Sequence, residues 1–250
     1  MKALVFAAGL GTRLKPLTDT MPKALVPVNG TPLLQQVMEK LVAAGYDEIV
    51  INIHHFADMI RDFVAAHDGF GARVSFSDET DLLRETGGGI RHAEPLLAGE
   101  GHDTEPFLVH NVDILSNLDL AWFRAQHQAG DLSTILVSER ETSRYFLFDE
   151  DNRLVGWTNV ATGEIRSPWP GVDPDCCKRL AFSGIHCISP EIFPLMRPWP
   201  EKFPIVDFYL SVCRTHTVRA AVMPGLEIHD VGKLSEIDFY SLKENTIFVN

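Results

Sequence analysis

Over its first 112 residues the chain alternates short β-prone apolar runs with stretches whose apolar residues recur on one helical face. That alternation restricts it to an α/β fold with a largely parallel sheet, because parallel strands need crossovers long enough to hold a helix. Ala3 to Ala8 is an apolar run that stops at glycine, the pattern of a buried strand. From Thr31-Pro32, the residues Leu33, Leu34, Val37, Met38, Leu41 and Val42 share a face up to Gly45. This predicts a helix with Thr31 as its cap and Pro32 in its first position. Glu48 to Ile53 predicts the next strand, Phe56 to Ala66 a helix, Arg73 to Phe76 a strand, Ile90 to Leu97 a helix and Phe107 to Val112 a buried strand.

After about residue 140 the pattern changes. RYFLFDEDNRLVGW predicts a hairpin turning at Asp149-Glu150-Asp151-Asn152, and ATGEIRSPWPGVDPDCCK holds too much Pro and Gly for a regular element. AFSGIHCI predicts a strand, helical segments follow, and a last strand runs into HDVGK with a helix behind it. The expected fold is α/β: a Rossmann-like, mixed but mostly parallel central sheet with helices on both faces, and a smaller mixed or antiparallel part. Residues 1–250 are expected to form a single domain.

Composition narrows the function. A net charge of −12 argues against a nucleic-acid partner, and no apolar run reaches the length of a membrane span or follows the order of a secretory signal, so the cytoplasm is the expected compartment. Cys176, Cys177, Cys187 and Cys213 contain no C-x-x-C and read as reduced structural thiols. The ten histidines lack metal-ligand spacing. No heptad or exposed apolar helix sets an oligomeric state. The distribution of charge says more than its total: residues 1–38 carry Lys2, Arg13, Lys15 and Lys23 against one acid, Asp19, a net +3, while the rest of the chain carries −15.

That positive charge sits in AAGLGTRLKPLTDTMPKAL, the loop behind the first strand, where ligands of parallel sheets gather. The dinucleotide fingerprint fails because Leu14 stands where its third glycine belongs, and the Walker loop fails as well. What remains is Gly9 and Gly11 letting backbone approach a ligand, with Thr12, the planar fork of Arg13 and the compact charge of Lys23: groups that suit a polyphosphate. Glu85-Thr86-Gly87-Gly88-Gly89 precedes a helical stretch and reads as a nucleotide-facing nest or a flexible turn. Asp113 ends the run PFLVHNVDIL and Asp230 ends the last strand, each either meeting a cation or capping a turn.

G-L-G-T-R-L-K-P-L-T, followed by M-P-K-A-L-V-P-V and T-P-L-L, resembles the signature of the sugar-1-phosphate nucleotidylyltransferases. The segment E-T-G-G-G-I and the short chain are most similar to the N-acetylmuramate-1-phosphate uridylyltransferase branch. The resemblance implies transfer of a nucleotidyl group from an NTP, here UTP, to a sugar 1-phosphate with release of pyrophosphate. It implies a nucleotide-binding half over 1–140 and a sugar-binding half over 141–250. It makes Arg13 and Lys23 the catalytic cations, and Ala7, Ala8, Gly9, Gly11, Thr12, Arg13, Lys23, Glu85, Thr86 and Gly88 the nucleotide contacts. Asn159 and Gly184 become sugar contacts, and Asp113 and Asp230 ligands of Mg²⁺, a hard ion suited to two carboxylates plus water and phosphate oxygens. The implied partners are NTP and sugar 1-phosphate, with no nucleic acid and no membrane.

The sequence departs from the family's pattern in two places. Asn111-Val112-Asp113 stands where many relatives have glycine and aspartate, and the middle region G-W-T-N-V-A-T-G-E lacks the lysine that meets the sugar phosphate in many relatives. Lys178, Arg179 and Lys233 stay open for that role. Guanylyl transfer to mannose or heptose 1-phosphate, cytidylyl transfer to phosphocholine, and a non-catalytic nucleotide-binding regulatory domain are the alternatives.

Overall fold

The structure is a computed structural model that describes residues 1–98 and 105–232. The expected helix behind HDVGK and Lys233 lie outside the described residues. The chain divides into two compact units, each assembled from separate segments: Met1–Leu83, His110–Asn117 and the segment from Glu227 onward in one, Arg84–Val109 and Leu118–Leu226 in the other.

In the first unit the strand Lys2–Phe6 pairs in parallel with Glu48–Ile53, which pairs in parallel with Arg73–Asp78. The helices Leu33–Ala43 and Ala57–Ala66 lie in the two crossovers, as the periodicity requires. Leu33, Leu34, Val37, Met38 and Leu41 are all buried, together with Leu4, Ile51 and Ile60. The first helix begins later than expected. Asn29 and Gly30, both left-handed, turn the chain so that Thr31–Pro32 pairs with Pro27–Val28. Thr31 is therefore extended and Pro32 takes the cap position, while the Gln36 amide reaches back to the carbonyls of Val28 (3.1 Å) and Thr31 (2.9 Å). A small antiparallel ribbon, Ile114–Ser116 against Ile228–Asp230, completes this unit.

In the second unit Asp131–Ser138 pairs antiparallel with Lys178–Ile188 and parallel with Thr217–Ala221. Asp131, buried, takes both Nε (2.7 Å) and Nη2 (2.9 Å) of Arg219. The start of Lys178–Ile188 pairs antiparallel with Arg144–Phe148, which forms the expected hairpin with Leu154–Asn159; Asn152 makes its turn at φ 61°. Glu164–Arg166 adds a strand to this hairpin within the stretch expected to be irregular, since the turn through Gly163 (φ 75°) folds Glu164 back onto Asn159. The fold is thus α/β with mixed pairing, parallel in the first unit and mixed in the second, plus two small antiparallel ribbons.

Inside the second unit the Tyr209 hydroxyl lies between His186 Nδ1 (2.6 Å) and Ser133 Oγ (2.8 Å), and Ser133 Oγ donates to the Cys187 carbonyl (3.2 Å). Cys187 and Cys213 are buried free thiols, each pushed up to about 12 by burial and so uncharged. Among the described residues no helix is long and apolar enough to cross a membrane.

Candidate active site

The loop behind the first strand starts with its first two amides turned inward. Ala7 N–H and Ala8 N–H both donate to Asn52 Oδ1, at 2.6 and 3.1 Å. Asn52 sits near the end of the neighbouring strand, 2% exposed, and its Nδ2 donates to Glu79 Oε1 at 3.0 Å. Beyond Ala8 the chain surfaces at Gly9 and Leu10. Gly11 is left-handed (φ 63°), and a Cβ there would lie 2.7 Å from Thr18 Cγ2 and 3.0 Å from Lys23 Cβ. Its carbonyl accepts from Thr18 Oγ1 and Leu14 N–H, each at 2.8 Å. Gly11 is therefore demanded by both backbone and space. Gly9 is not, since a Cβ there would meet nothing within 4 Å.

The cations follow from this turn. Thr12 and Arg13 are exposed in the short 3₁₀ turn Thr12–Leu14. Lys23 opens the turn Lys23–Leu25 and is buried, its ammonium bonded to the Asp113 carboxylate. The strand Phe107–Asn111 delivers Asp113, and Val112 N–H donates to the Phe6 carbonyl (3.1 Å), tying this end to the end of the first strand. The ribbon then sets Asp230 opposite Ile114, and Val231 N–H donates to the Asp113 carbonyl at 2.8 Å. Two acids far apart in sequence thus stand one residue apart in register.

Arg13 comes near the second of them. At Gly232 an added Cβ would lie 2.7 Å from Asp230 Oδ1 and 2.9 Å from Arg13 Nη2, so both groups crowd against that one glycine. Arg13, Lys23, Asp113 and Asp230 accordingly come together, each acid beside a loop cation. Among the described residues no group of three or more His, Cys, Asp or Glu side chains could hold a metal. The donor set is two carboxylates, hard oxygens that fit Mg²⁺ with its remaining positions left to water and phosphate. His110, three residues before Asp113, is 1% exposed and pushed down to about 4, chiefly by burial, so its imidazole is neutral near pH 7.

The glycine segment at 85–89 is corrected by the structure. It does not precede a helix but forms one, Glu85–His92. The amides of Gly87 and Gly88 donate to the Phe203 carbonyl (2.9 and 3.1 Å), and Thr86 Oγ1 accepts from Ile205 N–H (2.9 Å). A Cβ on Gly87 would strike the Phe203 ring, and one on Gly88 the Glu201 carbonyl. First-turn amides lack partners within a helix, and here one carbonyl satisfies two of them. The expected nest is therefore closed at Gly87 and Gly88, whose missing side chains let the segment 201–205 pack against the helix. Glu85 remains exposed, at φ 60°.

The two residues expected on the sugar side lie in the second unit. Asn159 ends its strand, and its Oδ1 accepts from Ala161 N–H (3.1 Å), holding the following turn. Gly184 (φ 71°) sits where the pairing of Lys178–Ile188 with Asp131–Ser138 shifts register, a bulge that requires glycine's freedom. The Lys178 ammonium donates to Glu150 O (2.9 Å) and Asn152 Oδ1 (2.8 Å), and Arg179 pairs with Asp175 (3.5 Å). Sequence reasoning missed Arg166, whose guanidinium lies 5.5 Å over the Trp157 ring and bonds Asp207 at 2.7 Å. It also missed Asn52 and Glu79, although an asparagine inside the run Glu-Ile-Val-Ile-Asn-Ile is a polar group that burial obliges to find partners.

Comparison with known proteins agrees with this architecture. The family described as nucleotidyl transferase matches residues 2–154. The N-acetylmuramate alpha-1-phosphate uridylyltransferase of Neisseria meningitidis serogroup B is 43% identical over 195 residues, 77% of this chain and 77% of that protein. Its counterpart in Caulobacter vibrioides is 34% identical over 196 residues, 76% of each chain. The crystal structure of HddC from Yersinia pseudotuberculosis complexed with GMP-PN has the same fold, with a TM-score of 0.76 at 24% identity over 97% of this chain and 99% of that one. By the extent of the family match and the identity to these relatives, the chain belongs to the nucleotidyl transferase family.

Proposed function

We propose that this nucleotidyltransferase is a Mg²⁺-dependent cytoplasmic enzyme that transfers uridylyl from UTP to a sugar 1-phosphate, N-acetylmuramate 1-phosphate being the acceptor, in nucleotide-sugar synthesis for the cell wall. The observation that carries the reaction is the meeting of Arg13, Lys23, Asp113 and Asp230 in one unit. The names of the two uridylyltransferase relatives support the substrates. Residues 1–140 would serve mainly the nucleotide and 141–250 the sugar, with Asn159 and Gly184 on the sugar side.

An oxygen of the sugar 1-phosphate attacks the α-phosphorus in line, the bond to the bridging oxygen breaks, and pyrophosphate leaves with the electron pair. The attacking oxygen is already anionic, so no general base is needed. The chain's task is to bring two anions together. Gly9 and Thr12 line the approach to the triphosphate, and Arg13 holds the β- and γ-phosphates and the departing pyrophosphate. Lys23 turns from Asp113 to the α-phosphate as charge shifts there. Asp113 and Asp230 would hold Mg²⁺, which when bound polarises phosphate oxygens and screens their repulsion. Glu85 and Thr86 would serve the base and ribose. Ala7 takes part through its carbonyl or methyl, because Asn52 already holds its amide.

A pyrophosphate-release assay with four NTPs against N-acetylmuramate, mannose and heptose 1-phosphates and phosphocholine tests the reading. UTP with N-acetylmuramate 1-phosphate is expected to give release that EDTA abolishes and Mg²⁺ restores. Release only with GTP and mannose or heptose 1-phosphate, or with CTP and phosphocholine, would reassign both substrates. Nucleotide binding without release in any pairing would make the protein a regulatory domain.

The two loop glycines give a second test. Gly11→Ala, strained by positive φ and two close side chains, should lose about 1–3 kcal/mol of stability. Gly9→Ala should leave the thermal midpoint unchanged and raise KM for the nucleotide. An unchanged KM would remove Gly9 from the ligand's path.

A further inference from the structure

We infer that Asn52 is a positioning residue for the nucleotide loop, oriented in turn by Glu79; this rests on the reading in the preceding section. One carboxamide oxygen takes two consecutive backbone amides, Ala7 (2.6 Å) and Ala8 (3.1 Å), at the point where the first strand becomes the loop. Both peptides therefore turn the same edge toward Asn52. Because a trans peptide points its C=O opposite its N–H, the Ala7 carbonyl faces away from Asn52. The preceding carbonyl, Phe6 O, is fixed as well, by Val112 N–H at 3.1 Å. The chain thus leaves the sheet in one orientation, and Gly9 onward is aimed by it.

The Asn52 side chain could flip, exchanging oxygen for nitrogen, and would then present donors to donors. Glu79 prevents this. Its Oε1 accepts from Asn52 Nδ2 at 3.0 Å, and a carboxylate oxygen cannot donate to a flipped carbonyl. Both side chains are almost wholly out of solvent, Asn52 at 2% and Glu79 at 0%, so water does not substitute for either bond. The Glu79 carbonyl is itself held against His54 Nδ1 (2.7 Å), and Glu79 N–H donates to the Ile53 carbonyl (2.8 Å). The strand ends Asn52–Ile53 and Asp78–Glu79 thus act as the rigid base of the loop. A loop aimed this way places its ligand-facing atoms before the nucleotide arrives, and small misplacements of such atoms are expensive in rate.

The pair can be inverted. Asn52→Asp alone sets two carboxylates against each other while keeping an acceptor for the amides. Adding Glu79→Gln restores one donor between the side chains, reversed in direction, at unchanged total charge. We expect Asn52→Asp and Asn52→Ala to lower kcat/KM for the nucleotide about 10- to 100-fold, with KM for the sugar 1-phosphate held within about twofold, and the double variant to recover most of the loss seen with Asn52→Asp. Backbone hydrogen exchange at Ala7 and Ala8 should speed up in Asn52→Ala and slow again in the double variant, with thermal midpoints reported alongside. Equal loss for both substrates, no recovery in the double variant, or unchanged exchange at Ala7 and Ala8 would overturn the assignment. Should the wild type release no pyrophosphate with any pairing, the preceding reading fails, and exchange at those two amides still decides whether Asn52 holds the loop.

Discussion

Lys23→Ala is expected to lower the single-turnover rate, at saturating concentrations of both substrates, roughly 10²–10³-fold, the loss typical of removing one well-placed transition-state donor. Lys23 is 9% exposed, and its ammonium is held on the Asp113 carboxylate. A charge kept so far from water has no solvent shell to shed when phosphate arrives, which makes it an efficient partner for charge that develops there. Lys23→Arg should not rescue. The Lys23 head group is buried against the Asp113 carboxylate, and the wide planar fork of arginine does not reproduce a compact point charge there. A merely structural role is separated by a second measurement. Removing Lys23 leaves Asp113 without its internal cation, so Mn²⁺ bound without nucleotide, read by paramagnetic resonance, should tighten in Lys23→Ala while activity falls. Weakened Mn²⁺ binding with a lowered thermal midpoint would point to a damaged fold, and a single-turnover rate near wild type would remove Lys23 from the catalytic role.

The parallel first half was legible because each helix there buries one face and each strand is a short β-prone run. Helix Leu33–Ala43 announces itself by its period and strand Glu48–Ile53 by a short run rich in Ile and Val, and the latter was read to the residue. Thr31 misled because its capping preference lost to a two-residue pairing set up by Asn29-Gly30, a local hairpin-turn signal that competes with the helix rule. Asp131–Ser138 went unread: Asp131, Ser133 and Thr134 interrupt its apolar run although all three are buried, and with seven of its eight residues buried it shows no alternation either. At the site, the glycine loop and both acids could be named from residue type and position. The nest at Gly87-Gly88 could not be tested that way, since its amides are consumed by Phe203, more than a hundred residues downstream. Asn52 stands out as a polar residue inside an apolar run, but its partners could not be named, because they are two amides just past the end of another strand.

Stability should fall steadily as pH drops from 7 to 5, because the fold keeps two imidazoles neutral by burying them. His110 is pushed down to about 4 and His186 to about 3, desolvation being the main cause for each, and His127 is lowered by burial as well. In the unfolded chain these groups take up a proton near pH 6.5. Above that pH neither state is protonated and the full stability is present. Below it the unfolded chain binds protons that the folded chain refuses, so unfolding gains on acidification until the folded pKa is reached. Each of the two fully buried histidines then removes on the order of 1 kcal/mol per pH unit, a serious loss against the roughly 5–15 kcal/mol that a domain commands. His186 shows why its neutral form is kept. With the Ser133 proton on the Cys187 carbonyl, the Tyr209 hydroxyl donates to Ser133, and His186 Nδ1–H donates to Tyr209. Every proton in that chain is placed, and among the described residues no hydrogen bond is made to Nε2, where the added proton would go. Urea unfolding followed between pH 8 and 5 should give a level free energy at the upper end and a fall whose slope approaches two protons near pH 5. His110→Asn should reduce that slope by about one proton, and a free energy that stays level down to pH 5 would mean that these imidazoles take their protons within the folded protein at no cost.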